Sequence, residues 1–328
     1  MSRAAQHGPP VFRSTPEYDA FGPWVLPVTG PDEVPPLFRR HPIDFTGTQL
    51  VLKVPRPIER RDALPSMDLY DHLLILQTSG LTVLTRVEDQ VRTHVVAPSE
   101  LLAIEDATDL LDGRLTLFTA LPEGPVTVHY NGSSRDVVGQ LVDGLRAFWG
   151  GGPRARSADA AGVAGEAAGV EPPTQLGLTA LGPDVALVTA YRELARTEPW
   201  IRLLSAQARQ QVVPAGQGAG AALARALHTL WPMTVQGAIV TGDGRELQVV
   251  HRREWWLRGR RPVHSLARTV IPLARVVGIE AEDDPRYAGV RVLTVVIGPA
   301  RISFPVAAAS ATEDGVRAGH RAASGAAG

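Results

Sequence analysis

Short runs of aliphatic and β-branched residues that end at glycine-containing turns constrain the fold of this chain more than any other feature. His72–Thr78 and Leu81–Val87 flank Ser79-Gly80, and Ala238–Val240 and Leu247–Val250 flank a Gly-Asp-Gly turn in the same way. Two strand-like runs joined by so few residues pair as an antiparallel hairpin. The chain is therefore predicted to fold mainly into antiparallel β-sheets.

The order of elements in the first half of the chain recurs in the second half. Val270–Pro272 corresponds to Val96–Pro98, and Val276–Glu280 corresponds to Leu101–Glu105. In both halves a hairpin precedes these runs, and an acidic loop and two further strands follow them. A shared order over so many elements indicates that the chain contains two copies of one β-rich unit.

Helical periodicity marks four further segments. The first follows Ser133, a residue that can cap a helix N-terminus, and ends at Gly150. The other three are Asp184–Arg196, Pro199–Gln210 and Ala219–Leu230. The apolar stripe of the first helix is expected to pack on the sheet before it, and no helix is expected after Val306.

This order of turn, proline, strand and strand pair resembles the bacterial pleckstrin-homology-like (PH-like) family. The run Val270–Glu280, of the type V-I-P-L-x-x-V-x-x-I-E, is typical of that family, and the likeness covers residues 72–149 and 236–306. The resemblance implies an α+β, mainly β chain with two PH-like, strongly bent antiparallel sheets or barrels and flanking helices. It also implies a binding or scaffolding role, because such folds usually present their loops to lipids, phosphopeptides or proteins.

Stretches rich in proline, glycine and alanine mark the ends of the two predicted units. The predicted divisions are a Pro/Gly-rich arm (1–44), a first PH-like unit with a C-terminal helix (45–149), a flexible linker (150–182), helices with a second PH-like unit (183–306) and a disordered tail (307–328). The arm carries large apolar side chains, Trp24 and Phe38 among them, which are expected to pack across a domain surface. A ligand-like segment for a partner is the alternative.

Composition excludes several classes of function. The 328 residues include no cysteine, which excludes disulfides, thiolate nucleophiles and iron–sulfur clusters. The net charge of -1 provides no overall field that would attract nucleic acid or a membrane. Residues 1–10 have no apolar core and no run is long enough to cross a membrane, so a cytoplasmic location is expected, with peripheral attachment at a membrane as a second option. Lys53 is the only lysine, so arginine supplies nearly all the positive charge, as expected for a protein from a high-GC bacterium.

The sharpest local signal is His251–His264, where five arginines and two tryptophans accompany a single acid. Arginine pairs well with phosphate or carboxylate groups, and tryptophan favours the boundary between water and an apolar phase. The predicted contact residues are Arg252, Arg253, Trp255, Trp256, Arg258, Arg260 and Arg261. They would serve a protein partner or an anionic lipid headgroup. The alternative is a long hairpin with one tryptophan in the core and the arginines solvated or paired with acidic loops.

No sequence motif assigns a catalytic residue. The chain has no nucleophile elbow, no His-Glu-x-x-His segment and no phosphate-binding glycine loop followed by lysine. Its acidic loops lack the spacing of a calcium loop, so no metal and no cofactor are expected. The sequence predicts a non-catalytic binding or scaffolding protein. Two alternatives are an enzyme with its active site in the cleft between the two units and a structural homo-oligomer.

Overall fold

The computed structural model describes residues 15–150, 184–259, 263–308, 310 and 312–325, and its regular structure is mainly β. The chain divides into two compact units, Met1–Val95 and Val96–Gly328. Neighbouring strands pair antiparallel, and none of the sheets in the described ranges closes on itself. The prediction of a mainly β, antiparallel fold with accompanying helices is confirmed.

One five-stranded sheet organises the first unit. Its elements are α1 (Pro16–Ala20), β1 (Leu26–Pro27), β2 (Thr48–Pro55), β3 (Tyr70–Gln77), β4 (Gly80–Val87) and β5 (Gln90–Val96). The strands lie in the order β1-β2-β3-β4-β5. Strands β3 and β4 form the first predicted hairpin, in which Gln77 pairs with Gly80 next to the turn.

The proline-rich arm supplies part of the core of the first unit. Phe21, Val28 and Phe38 are buried together with Leu73 of β3, while Trp24 stays about half exposed. Burial of each large apolar side chain stabilises the unit by roughly 1.5–3 kcal/mol. Residues 15–44 of the arm therefore share a core with the strands of this unit, whereas residues 1–14 lie outside the described residues.

The second unit contains all the remaining elements. They are β6 (Leu101–Asp109), β7 (Asp112–Thr119), β8 (Val126–Asn131), α2 (Arg135–Arg146), α3 (Val185–Thr197), β9 (Arg202–Gln207), β10 (Gln210–Pro214), α4 (Ala219–Leu230), β11 (Met233–Val235), β12 (Ala238–Gly242), β13 (Glu246–His251), β14 (Trp256–Arg258), β15 (Leu266–Pro272), β16 (Gly278–Asp283), β17 (Tyr287–Ala288), β18 (Val290–Ile297), β19 (Ala300–Ala307) and α5 (Thr312–Gly325). The strands form a seven-stranded sheet in the order β8-β7-β6-β15-β13-β12-β9, a four-stranded sheet in the order β14-β11-β10-β17 and a three-stranded sheet in the order β16-β18-β19.

The seven-stranded sheet joins the two segments that the sequence had assigned to separate units. Strand β6 pairs with β15, and Glu105 lies opposite Thr269 in this register. The structural division consequently falls between residues 95 and 96 and not at residue 149. Pairing explains the difference, because a β6 left at a sheet edge would expose a row of unpaired backbone groups that β15 satisfies.

The main core of the second unit lies between the seven-stranded sheet, the three-stranded sheet and α5. Leu247 and Ile271 come from the larger sheet, Val295 and Phe304 come from the smaller sheet, and Val316 comes from α5. Strands β12 and β13 of the larger sheet are buried on both faces, because Ile239 and Val250 belong to a second apolar cluster with Leu187 and Tyr191 of α3.

Helix α5 occupies most of the segment 307–328 that was expected to be a disordered tail. An ideal Cβ at Gly315 would lie 3.0 Å from the carbonyl oxygen of Leu204, and one at Gly319 would lie 3.0 Å from the Leu204 side chain. Val316, between the two glycines, is fully buried. The small residues that suggested disorder are therefore the residues that allow this helix to pack closely on β9.

The predicted helices have mixed outcomes. Helices α3 and α4 match the predictions, and Asp184 starts α3 by accepting a hydrogen bond from the backbone N–H of Leu187 (3.3 Å). The predicted helix Pro199–Gln210 is wrong, because β9 and β10 cover most of it. Strand β9 pairs along β12, so tertiary pairing outweighs a weak local helix propensity. The predicted linker lies almost wholly outside the described residues.

Among the helices in the described ranges, none combines the length and apolar character that a membrane crossing requires.

Candidate binding surface

Arg252, the first residue of the predicted contact surface, is buried in an ion pair. Its Nη2 lies 2.5 Å from Asp184 Oδ1, and its Nε donates to Asp184 Oδ2 at 3.1 Å. Its Nη1 donates to the carbonyl oxygen of Ser265 at 2.7 Å. All three nitrogens of this guanidinium are engaged within the unit, so Arg252 holds the start of α3 in place and is not available to a partner.

Arg253 is also paired within the second unit. Its Nη1 lies 2.6 Å from Asp112 Oδ2, and its backbone N–H donates to Ser265 Oγ at 3.2 Å. Asp112 belongs to the turn between β6 and β7, one of the acidic loops of the sequence. This pairing agrees with the alternative interpretation, in which arginines of the segment pair with acidic loops.

Both tryptophans of the segment pack inside the unit. The Trp255 ring stacks on His251 with 4.4 Å between ring centroids, and its centroid lies 5.6 Å from that of Phe304. The Trp256 ring lies 4.9 Å from Tyr287, centroid to centroid, in a small separate apolar cluster. Neither tryptophan therefore projects from the surface to anchor a partner. The alternative interpretation, a long hairpin, had expected only one of the two tryptophans to be in the core.

Arg258 is the described arginine of the segment that remains at the surface. It ends β14, where it pairs with Met233 of β11, and its side chain is exposed. Within the part of the chain that the structure describes, this guanidinium has no ion-pair or hydrogen-bond partner. Arg260 and Arg261 lie outside the described residues.

Helix α4 presents an apolar stripe to solvent. Leu223, Leu227 and Leu230 recur at intervals of four and three residues, and Trp231 follows directly after the helix; the four side chains are exposed to 64%, 57%, 82% and 66%. An amphipathic helix in a globular protein normally turns such a stripe towards the core. Here the stripe faces outward, which marks it as a contact surface.

The exposed end of β14 meets the end of α4. The backbone N–H of Gly259 donates to the carbonyl oxygen of Pro232 at 2.8 Å, and a Cβ at Gly259 would lie 3.2 Å from the Trp231 ring. The positive φ of Gly259 (82°) also favours glycine at this position. We refer to Leu223, Leu227, Leu230, Trp231 and Arg258 as the α4 corner.

The α4 corner lies in a part of the sequence that has no negative side chains. There is no aspartate or glutamate from Pro199 to Gly242, nor from Trp255 to Ile279. Arg209 and Arg225 are exposed in the first of these stretches, as Arg258 is in the second. Within these two stretches the charged side chains are arginines although the whole chain is almost neutral, and arginines favour an anionic contact.

The most highly charged cluster of the second unit is buried and fully paired. Arg146 Nη1 lies 2.7 Å from Glu198 Oε1, and Arg146 Nη2 lies 2.7 Å from Glu246 Oε2. Arg268 Nη2 adds a second cation 2.6 Å from Glu198 Oε1. The cluster ties α2 to the segment after α3 and to strands β13 and β15.

We refer to this buried salt-bridge network of Arg146, Arg268, Glu198 and Glu246 as the ion lock, because its side chains stay charged and do not act as an acid–base pair. Burial alone would raise the pKa of Glu198, but hydrogen bonds from Arg146 and the charge of Arg268 lower this pKa to about 2. Burial opposes the charged form of Arg146, but its bonds to Glu198 and Glu246 raise its pKa above the ordinary value. Groups held so firmly in their charged forms do not exchange protons near neutral pH.

His251 is buried, and both of its ring nitrogens are engaged within the second unit. Its Nδ1 lies 2.7 Å from the carbonyl oxygen of Arg252, and its Nε2 lies 3.0 Å from Thr269 Oγ1. Glu105 Oε2 is 3.9 Å from Nε2, and Trp255 covers one face of the ring. Burial lowers the pKa of His251. With both ring nitrogens engaged, this histidine has no position for a substrate.

The first unit carries an open groove of about 630 Å³ between residues 36–41, Asp68 and residues 89–93. Its charged side chains have opposite signs, with Arg40 on one wall and Asp89 on another, so they define no single ligand charge. Across the described ranges, histidine and acidic side chains do not gather in groups of three that could hold a metal ion.

No protein-family model matches this sequence, and no curated protein matches it. The resemblance to the PH-like family stays a prediction.

Proposed function

We propose that this protein is a non-catalytic binding or scaffolding protein that docks an anionic partner surface on its α4 corner. The observation that carries the proposal is the outward apolar stripe of α4 next to the exposed Arg258. An apolar stripe gains free energy when it leaves water, and a free arginine gains when it meets phosphate or carboxylate. The corner therefore replaces most of the contact surface expected from the sequence.

The energies are sufficient for reversible binding. Complete burial of one leucine side chain contributes roughly 1.5–3 kcal/mol, and the four apolar side chains of the corner retain about three-fifths to four-fifths of their exposure in the free protein. Each arginine near an anionic surface adds about 1 kcal/mol. Association itself costs several kcal/mol, so the apolar and charged contributions are both needed.

The homo-oligomer is the alternative that a specific observation favours, because exposed leucines also pair between copies. Charge opposes it. A two-fold contact would place the same acid-free, arginine-bearing surface on itself, and like charges in contact are unfavourable. In the second unit the Arg146 cluster and His251 are buried and paired, so these ionisable groups give the enzyme alternative no support.

Two matched triple variants test this function. Leu227→Gln, Leu230→Gln and Arg258→Glu change the corner, whereas Leu111→Gln, Val277→Gln and Arg92→Glu change exposed residues elsewhere. Binding of each purified variant is measured on polyglutamate-coated beads and on vesicles that contain phosphatidylserine. We expect the corner variant to lose the binding that the wild type and the control variant show. The proposal would be refuted if the corner variant and the control variant bound the beads and the vesicles equally well. It would also be refuted if the wild type bound neither material.

A further inference from the structure

We propose that the surface docked on the α4 corner is an anionic lipid membrane, with α4 lying flat at the level of the headgroups. This inference rests on the proposed function and names the partner class. It depends on the shape of the corner, on the position of Trp231 and on the size of the surface.

The shape of the corner suits a soft apolar phase. The stripe from Leu223 to Leu230 extends about 10 Å along the helix axis at ~1.5 Å per residue, and Trp231 follows as the first residue after the helix. Arg225 and Ala226, which lie between its members, are exposed as well, so the helix stands out from the sheet along this length. A raised helix needs a complementary groove in a protein partner but none in a bilayer, where amphipathic helices lie with their apolar face in the headgroup boundary.

Trp231 occupies the end of the stripe nearest to Arg258. Indole rings concentrate at membrane–water interfaces, because the ring is apolar while its N–H still needs a polar partner. The leucines of α4 supply aliphatic contact with acyl chains on the same face. Helix α4 itself carries Arg225 and no acid, so it meets no repulsion from anionic headgroups.

The size of the corner argues against a stable protein interface. Such interfaces involve about 20–30 residues a side, with a well-packed centre. The corner offers four large apolar side chains and the nearby arginines. A few inserted side chains with two or more cations are, in contrast, enough for reversible attachment to an anionic bilayer.

The experiment measures sedimentation of the full chain with phosphatidylcholine vesicles, prepared with and without phosphatidylserine, beside polyglutamate beads. We expect the protein to sediment with the phosphatidylserine vesicles, more weakly without the anionic lipid, and less as salt rises. Leu227→Gln with Leu230→Gln is expected to lower partitioning at least about tenfold. Arg258→Glu is expected to lower it roughly tenfold, whereas Arg92→Glu leaves it unchanged.

A spectroscopic readout tests the placement of Trp231. Vesicles with bromine-labelled acyl chains quench a tryptophan that reaches their apolar boundary. The wild type is expected to show lipid-dependent quenching, and Trp231→Phe is expected to lose most of it while it still sediments. Quenching that is equal in both proteins would overturn the placement.

The outcomes separate the lipid inference from the proposed function. Binding to polyglutamate but not to vesicles would overturn the lipid inference and leave the proposed function standing. Binding to neither would overturn both. Self-association that rises with concentration and is abolished by the leucine variant would show that a second copy covers the corner, which would also overturn the inference. Every substituted side chain in these tests is exposed, and circular dichroism checks that each variant folds.

Discussion

Replacement of Arg146 by methionine isolates the buried ion lock of the second unit. Methionine keeps most of the volume of the side chain but removes its charge and its donors. Arg146 is only 1% exposed, and it makes hydrogen bonds to both Glu198 and Glu246. After the substitution Glu198 still has Arg268 at 2.6 Å, whereas Glu246 keeps a hydrogen bond from Trp149 and loses its cation.

The expected loss of stability follows from the burial of these groups. Removal of one partner from a buried ion pair costs about 3–5 kcal/mol, because the remaining charge stays in a medium that solvates it poorly. Glu246 has no exposed side-chain surface, so water does not compensate for the missing arginine. A change of this size corresponds to a fall in Tm of roughly 10 °C for a unit of more than 200 residues.

Chemical and thermal unfolding of the full chain measures this loss. Arg196→Met is the matched control, since Arg196 lies 2.8 Å from Glu193 with both side chains largely exposed. We expect a change of at most about 0.5 kcal/mol for the control. The double variant Arg146→Met with Glu246→Met should recover part of the loss, because no buried charge is then left unpaired at this position. A single variant as stable as the control would refute the interpretation of the cluster as an ion lock.

Three further predictions concern stability. The pKa of Glu198 is about 2, against an ordinary value of 4.5, so its ion pairs contribute about 3 kcal/mol of stability above pH 4.5. This contribution is lost as the pH falls towards 2. The difference in stability between the wild type and Glu198→Gln should therefore shrink between pH 4.5 and pH 2. Gly315→Val should destabilise the protein by about 1–3 kcal/mol, because the new side chain meets backbone atoms. Gly139→Ala enters open space on α2 and should stabilise the protein by roughly 0.5–1 kcal/mol. Equal thermal shifts of the two variants would contradict the close packing of α5. Asp184→Asn should lower the free energy of unfolding by about 3–5 kcal/mol, because it leaves Arg252 buried without its anion. Urea unfolding measures this loss. A loss of only about 1 kcal/mol, as expected for an exposed ion pair, would show that Arg252 is free to bind a partner.

Local signals in the sequence predicted the local structure well. The β3–β4 hairpin depends on residues 70–87, and its turn is recognisable from adjacent residues. Helix α3 has a capping aspartate and a regular apolar stripe, so its start and its buried face follow from about fifteen consecutive residues. In such elements the information that determines the structure is close together in the chain.

Elements that depend on distant residues were not predictable in the same way. The pairing of β6 with β15 joins residues more than 150 positions apart in the chain. Nothing in the sequence of either strand identifies the strand with which it pairs. Strand β9 is another case, because its sequence Arg202–Gln207 is compatible with a helix until β12 offers an edge. The runs that recur in the two halves lie mostly on strands, but they do not indicate which strands lie side by side.

The contact surface was only partly predictable for a related reason. Nothing in the sequence of His251–His264 shows that Asp184 and Asp112 lie next to its first two arginines. The stripe of α4 looks the same in sequence whether it faces the core or the solvent. One signal was present, however, since the segment from Pro199 to Gly242 contains arginines but no aspartate or glutamate.

The seam between β6 and β15 also sets the timing of folding during synthesis. Glu105 and Thr269 are 164 residues apart in the chain, so a ribosome that adds about 5–20 residues per second delivers the second strand roughly 10–30 s after the first. Throughout that interval the β6 edge of the β6–β7–β8 meander, which β15 later covers, is open to pairing with any other strand. The nascent protein is thus most prone to misassembly before β15 emerges, and its slow step should be the closing of this long-range pair.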